Sequence, residues 1–349
     1  LLADVEIPDG VTARGARVVP ILNGLGSVKS EELYVVFARI AELLEAADIT
    51  VVDPQVGEFC TSFDMAGASL TLLWLDDELE SLWLAPADTP AFRTGAVDAG
   101  SLTHVDSSVL PEAAEESIPP ASEDSRRAAA HAAAALAAVR DVIDENAEEL
   151  GRLDAIAGDG DHGIGMKRGS VAACAAAAAA VGHGAGVQTV LARAADAWSD
   201  RAGGTSGALW GVILRALGDT LGDTRPVAPT SVSAGVSAAT RAVMDYGKAV
   251  VGDKTMVDAL VPFADMLADR VGAGESLAAA WTAAATAATV AAEETKELMP
   301  HLGRARAHGD KALGVADPGA VSFALIVERL RTSLTTEDPA THAVTVTTD

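Results

Sequence analysis

The chain has 349 residues, of which 50 are acidic and 25 basic, for a formal charge of −25. That length exceeds what a single hydrophobic core usually fills, so two domains are expected, and the charge excludes nucleic acid as a partner because phosphate contacts need clustered Lys and Arg. An acidic protein that takes a nucleotide must neutralise the phosphates locally, and a divalent cation held by its own carboxylates is the simplest device.

From the N-terminus, 16–23 (ARVVPILN) is a β-branched apolar run ending in Asn-Gly, and 49–56 and 68–75 are similar, which predicts short buried strands. Between the first two, 29–47 sets Leu33, Val36, Phe37, Ile40, Leu43 and Leu44 at helical spacing. Strand, helix, strand and strand make an α/β pattern, yet one too small to close a doubly covered sheet by itself. Because the chain also begins at Leu1 rather than Met, an upstream segment is expected. Asp64, Asp76 and Asp77 flank these runs and read as capping or surface residues, Trp74 and Trp83 as core or dimer contacts. The domain is placed at 1–95.

Residues 96–124 turn to Gly, Ser, Pro, Asp and Glu without periodic apolar positions, the signature of an exposed linker. Ala- and Leu-rich helical patterns then follow at 125–149, 164–181, 187–202, 205–221, 229–246, 254–272, 275–297 and 317–334. Eight helices with almost no strand signal predict an all-α bundle or barrel over 125–334. The Thr-rich stretch 335–349 reads as a loose tail. Cys60 and Cys174 lack Cys or His neighbours, so neither a disulfide framework nor a zinc site is supported, and a cytoplasmic location is expected. The Ala-rich runs 128–138 and 171–181 are too short to span a bilayer, and no membrane partner is expected.

The most informative stretch is 153–169, LDAIAGDGDHGIGMKRG, where Asp154, Asp159 and Asp161 stand within eight residues among glycines. Converging carboxylates repel one another unless a cation offsets them, and hard oxygen ligands select Mg²⁺ or Ca²⁺. The spacing fails the EF-hand template, which favours Mg²⁺; a solvated acidic turn would carry the same residues. Gly158, Gly160 and Gly163 satisfy GxGxxG, but they follow a helix and enclose two aspartates, so the dinucleotide match is accidental; GxxxxGK[ST] is absent. Further glycine punctuation falls at predicted helix ends: 203–207 (GGTSG), Gly247-Lys248, 252–256 (GDKTM), Gly303-Arg304 and Asp317-Pro318-Gly319. Each is ordinary capping taken singly, but several helix N-termini on one rim would cradle phosphates.

These stretches resemble the dihydroxyacetone kinase family, in the family's order through both halves. Region 126–334, with D-x4-D-x-D at 154–161, GGTSG, GDKTM, GRA at 303–305 and DPGA at 317–320, is similar to its eight-helix barrel nucleotide domain. Residues 20–90, with NGLG at 23–26, EELYVVF at 31–37, TSFDMAGASLTLLWLDDEL at 61–79 and APADTPAF at 85–92, resemble the C-terminal end of its α/β ketose-binding domain. The resemblance implies that Asp154, Asp159 and Asp161 hold two Mg²⁺ ions on the phosphates of ATP. It also implies that His162, Gly163, Ile164, Gly165, Thr205 and Ser206 line those phosphates, and that Gly247, Met256, Asp317, Pro318 and Gly319 surround the nucleoside. Arg304 would approach the transferring phosphoryl group as the catalytic residue. Lys254 either assists there or lies exposed beside a capping Asp253.

The implied reaction transfers the ATP γ-phosphoryl to a primary hydroxyl of a short-chain ketose, dihydroxyacetone first and erythrulose as the alternative. In the family a His holds the ketone covalently. His104, the one histidine before the helical region, lies in the linker and matches no such motif. A homodimer through the ketose-binding domain is expected. The rival of another class is a nucleotide-bound regulator or an acyl-carrier-linked component without ketose kinase activity.

Overall fold

The computed structural model describes residues 7, 11–61, 66–90, 92–96, 118–303, 305–306 and 309–336. Asp64, His104 and Arg304, most of the expected linker and nearly all of the expected tail lie outside the described residues. The chain divides into two compact units, Leu1–Ala114 and Glu115–Asp349.

In the first unit, strand β1 (Arg17–Gly26) buries Val18, Val19 and Leu22. Helix α1 (Ser30–Ala46) lays Leu33, Ile40 and Leu44 on the sheet, and it returns the chain to β2 (Thr50–Val51) and β3 (Gln55–Gly57). Both run parallel to β1 along one edge, as a helical crossover requires. Strand β4 (Ala66–Leu75) pairs antiparallel along the other edge, with Arg17 opposite Leu75 and Gly26 opposite Ala66. The expected strand 49–56 is thus two pieces: Asp53 at φ 39° and Pro54 interrupt it. Buried Asn23 ties β1 to the turn after β3, donating to the Cys60 carbonyl at 2.8 Å and accepting the Phe59 amide at 2.7 Å. Asp76 caps the short helix α2 (Asp77–Trp83) by accepting the Leu79 amide at 2.8 Å, and Asp77 meets Arg17 at 2.6 Å. Trp74 packs on the sheet core, while Trp83 donates to Asp53 at 2.9 Å. A small pair, β5 (Ala87–Asp88) with β6 (Arg93–Thr94), follows.

The second unit is helical: α3 (Glu123–Asp154), α4 (His162–Gly182), α5 (Val187–Ala202), α6 (Gly204–Leu221), α7 (Pro229–Gly247), α8 (Val257–Gly272), α9 (Leu277–Glu294), the single turn α10 (Gly309–Ala312) and α11 (Pro318–Thr336). Each long helix packs on the next, and α11 packs on α9, α8 and back on α3. Short connections make sequence neighbours antiparallel. Alternate connections therefore fall at the same end, which gathers the segments after α3, α5, α7 and α9.

Small residues let the helices close in. On α4 the buried line includes Gly163, Gly169, Ala173, Ala177 and Ala180; on α9 it is Ala280, Ala284, Ala285, Ala288 and Ala292. A Cβ on Gly169 would stand 2.4 Å from Trp198 Nε1, so α5 sits against bare backbone there. Trp198 stacks on Trp210 at 5.2 Å, and Phe323, Phe263 and Trp281 continue the aromatic contacts into α11, α8 and α9. Helix α4 has the length and hydropathy of a membrane crossing, more than the run 171–181 suggested, but here it packs between α3 and α5. At the far end Asp223 caps α5 from outside that helix, accepting the Gln188 amide at 2.9 Å and the Thr189 hydroxyl at 2.6 Å.

Candidate functional site

Helix α3 ends on Asp154, and the chain then turns within seven residues into α4. The Gly158 amide donates to the Asp154 carbonyl at 2.6 Å, and a Cβ on Gly158 would lie 2.4 Å from the Asp154 carboxylate. Gly160 adopts φ 76°, a conformation that glycine takes at no steric expense. These two glycines fold the loop so that carboxylate oxygens of Asp154, Asp159 and Asp161 lie within 4.8 Å of one another. Asp159 is buried. Burial, with the Asp154 charge second, pushes the Asp161 carboxyl above its ordinary pKa. Three hard oxygen donors so close, one already resisting ionisation, fit a divalent cation.

The trio faces a cleft of about 320 Å³ whose walls come from the gathered connections. His162 and Gly165 at the start of α4 line it, as do Thr205 and Ser206 in the first turn of α6. Gly203 and Gly204, at φ 67° and 60°, turn the chain into that helix and leave its first amides without intrahelical partners. Gly247 ends α7, Met256 begins α8, and Asp317, Pro318 and Gly319 open α11; all five reach the same cleft. A Cβ on Gly319 would be 3.4 Å from the Met256 Cβ, a close approach between α11 and α8.

Two of the residues expected at the phosphates stand elsewhere. A Cβ on Gly163 would fall 1.8 Å from the Ala147 carbonyl oxygen, so this glycine seats α4 against α3, and Ile164 is 47 % exposed; neither lines the cleft. The three glycines of the accidental GxGxxG therefore serve three ends: room beside a carboxylate, a left-handed turn, and helix contact.

His162 is more than a backbone donor. Its Nε2 lies 3.0 Å from Ser322 Oγ, whose hydroxyl donates to the Gly319 carbonyl at 3.0 Å. Its Nδ1 faces Ser206 Oγ at 3.5 Å. Burial drives its pKa from 6.5 to about 4 against the Pro318 carbonyl, keeping it neutral while it ties α4, α6 and α11 together. Lys254 lines the cleft, but it is 5 % exposed rather than at the surface, and its ammonium binds carbonyl oxygens. Asp253 caps its own turn, accepting the Val250 amide at 2.8 Å, and faces His301 Nδ1 at 3.2 Å; Asp258 holds the loop, accepting Gly252 and Thr255 amides at 2.6 and 2.7 Å.

Asp317 caps α11 by accepting the Ala320 amide at 2.7 Å. Burial chiefly, with Asp258 and Asp154 adding, raises its pKa from 3.8 to about 7 against that amide and Lys254. The folded state thus holds this proton where the unfolded chain has released it. The group's contribution is full below pH 3.8 and is lost as pH rises through about 7. Melting curves in EDTA are expected to show the wild type losing ground to Asp317→Asn across that window; parallel profiles count against the assignment.

Residues 156–332 match the DAK2 domain, and residues 1–91 match the Dak1 domain. The chain belongs to the dihydroxyacetone kinase family. It is 51 % identical over 339 residues to the L-erythrulose kinase of Pectobacterium atrosepticum, covering 97 % of this chain and 57 % of that protein. To the D-erythrulose kinase of Mycolicibacterium smegmatis it is 47 % identical over 331 residues, covering 93 % of this chain and 56 % of that one. The chain thus spans somewhat over half the length of these relatives. A crystal structure of the dihydroxyacetone kinase from C. freundii with AMP-PNP and Mg²⁺ is 24 % identical, covers 91 % of this chain and 53 % of that one, and superposes with a TM-score of 0.47. Within the family the DAK2 match takes in the aspartates at 159 and 161 and every cleft segment after them; Asp154 lies just ahead of it.

Proposed function

We propose that the helical unit is a Mg-ATP domain and that the protein is an ATP-dependent kinase of short-chain ketoses, with erythrulose as the preferred substrate. The observation that carries the nucleotide reading is the carboxylate trio facing a cleft ringed by helix N-termini. The four-carbon ketose is favoured over dihydroxyacetone by the names of the relatives at 51 % and 47 % identity. The cyclic order of helix contacts supports a closed eight-helix barrel with this cleft at one end. Residues 1–95 then form part of the ketose-binding domain, joined by a linker over 96–124, in a cytoplasmic homodimer.

Asp154, Asp159 and Asp161 would hold two Mg²⁺ ions. The ions supply the positive charge that an acidic protein otherwise lacks for a triphosphate. The chain's own residues do the rest by positioning and electrostatics. First-turn amides at Thr205 and Ser206 point at phosphate oxygens with the positive end of the α6 dipole behind them. Neutral His162 stands beside the Ser206 hydroxyl without adding charge there. Met256, buried and polarizable, and the bare backbone of Gly247 and Gly319 suit the flat face of a base. Arg304 would stabilise charge on the phosphoryl group in flight.

Calorimetric titration of this chain with ADP tests the nucleotide reading: affinity is expected to depend on Mg²⁺, and equal affinity in EDTA overturns it. Turnover of dihydroxyacetone and of both erythrulose enantiomers by the protein extended to its relatives' length tests the substrate. A higher kcat/KM for dihydroxyacetone removes the erythrulose preference.

A further inference from the structure

Buried Lys254 adopts φ 60° and donates from its ammonium to the carbonyl oxygens of Thr295 at 2.7 Å, Leu298 at 3.1 Å and Val315 at 2.8 Å. Thr295 and Leu298 stand where α9 ends; Val315 stands just ahead of α11. The chain leaves and returns between them, and the Gly314 amide closes the same neck on the Lys296 carbonyl at 2.9 Å. Described residues of that excursion, Leu302, Gly303, Ala305 and Ala312, line the cleft. Lys254 lines it too, as do Thr255 and Met256, which lead directly into α8.

We propose that Lys254 is a positioning residue for nucleotide binding: its ammonium clamps both ends of the 299–314 loop and so fixes the distance between that wall of the cleft and Met256. This rests on the Mg-nucleotide reading above. Three carbonyl oxygens around one cation satisfy all three ammonium protons, and a methylene stem links that cage to the backbone beside Met256. Burial lowers the Lys254 pKa while Asp317, Asp258 and Glu297 oppose the shift and favour the charged form. Truncation leaves the cage intact but empty, a site that a free ammonium ion fits and a smaller sodium ion does not.

The test is Lys254→Ala titrated with Mg-ADP in sodium chloride and in ammonium chloride of equal ionic strength, with Mn²⁺ binding to the carboxylate trio measured without nucleotide. In sodium the affinity is expected to fall about tenfold or more, the equivalent of one charge-assisted hydrogen bond. Ammonium recovers most of that loss, and Mn²⁺ binding is unchanged. Wild-type affinity in sodium, no recovery in ammonium, or loss of Mn²⁺ binding as well overturns the proposal. If Lys254→Ala does not fold, Lys254→Met carries the test, since its side chain fills the site: weakened Mg-ADP binding in both salts supports the clamp, and wild-type binding refutes it. Unfolding of both variants in either salt makes Lys254 a folding residue and also refutes it. A wild-type chain that binds no Mg-ADP removes the nucleotide reading and this inference with it, a result distinct from a variant that matches a binding wild type.

Discussion

Changing Asp159 and Asp161 together to alanine is expected to weaken Mg-ADP binding by roughly 100- to 10,000-fold, taking about 1.5–3 kcal/mol for each charged partner removed and 1.4 kcal/mol per decade. The reason is geometric. Three side chains share one space 4.8 Å across, and Asp154 alone cannot offset a divalent ion's lost hydration. Metal-free ADP should bind the variant no worse than the wild type, because the removed groups repel bare phosphates. Asp161→Asn by itself should melt in EDTA at the wild-type temperature or above, since burial and Asp154 already disfavour its ionised form. Calorimetry with and without Mg²⁺ reads the first two outcomes and a thermal melt the third. Retained Mg-dependent affinity in the double variant would move the metal elsewhere.

Gly163→Ala is expected to destabilise the helical unit by about 3 kcal/mol or more, or roughly 6–12 °C in melting temperature for a unit of this size. The added methyl would meet the Ala147 carbonyl oxygen at 1.8 Å and the Gly151 nitrogen at 3.0 Å. Both are backbone atoms of α3, so no rotamer change relieves the clash and the two helices must part. Because α3 carries Asp154 and α4 follows directly on Asp161, parting them also spreads the carboxylates and lowers Mg-ADP affinity. Gly182→Ala, at the opposite end of α4 with nothing within 4 Å of the new methyl, is the control and should stay within about 1 kcal/mol of the wild type. Equal melting temperatures for the two variants would show that Gly163 does not set the approach.

Periodicity made most of the architecture legible. Strands written as β-branched apolar runs and helices with small residues every three or four positions announce themselves without tertiary information, and the eight long helices lie where the pattern puts them. Boundaries shifted where a turn overrode the pattern. Lys254 at φ 60° delays α8 to Val257, and α9 gives way at Thr295 to a 3-10 turn that the clamp needs. The short α2, the β5–β6 pair and α10 lack enough residues to show a period.

At the site, the convergence of Asp154, Asp159 and Asp161 was readable because three carboxylates within eight residues have little room to diverge. Gly163 was not: a glycine needed for helix contact and one needed for a phosphate look alike in one dimension. Lys254 escaped for another reason. Its partners are backbone carbonyls at 295, 298 and 315, and a carbonyl carries no signature in the residue's name. Ser322 behind His162 escaped because it lies 160 positions away along the chain.

The alanine-lined contacts of α4 and α9 reach beyond geometry into thermodynamics. Methyl groups offer water little oily surface when the helices come apart, so the heat-capacity increment of unfolding should fall below the usual ~12–15 cal/mol/K per residue. A smaller increment flattens the dependence of stability on temperature, and the helical unit should hold nearly constant strength from the cold to the onset of its melt.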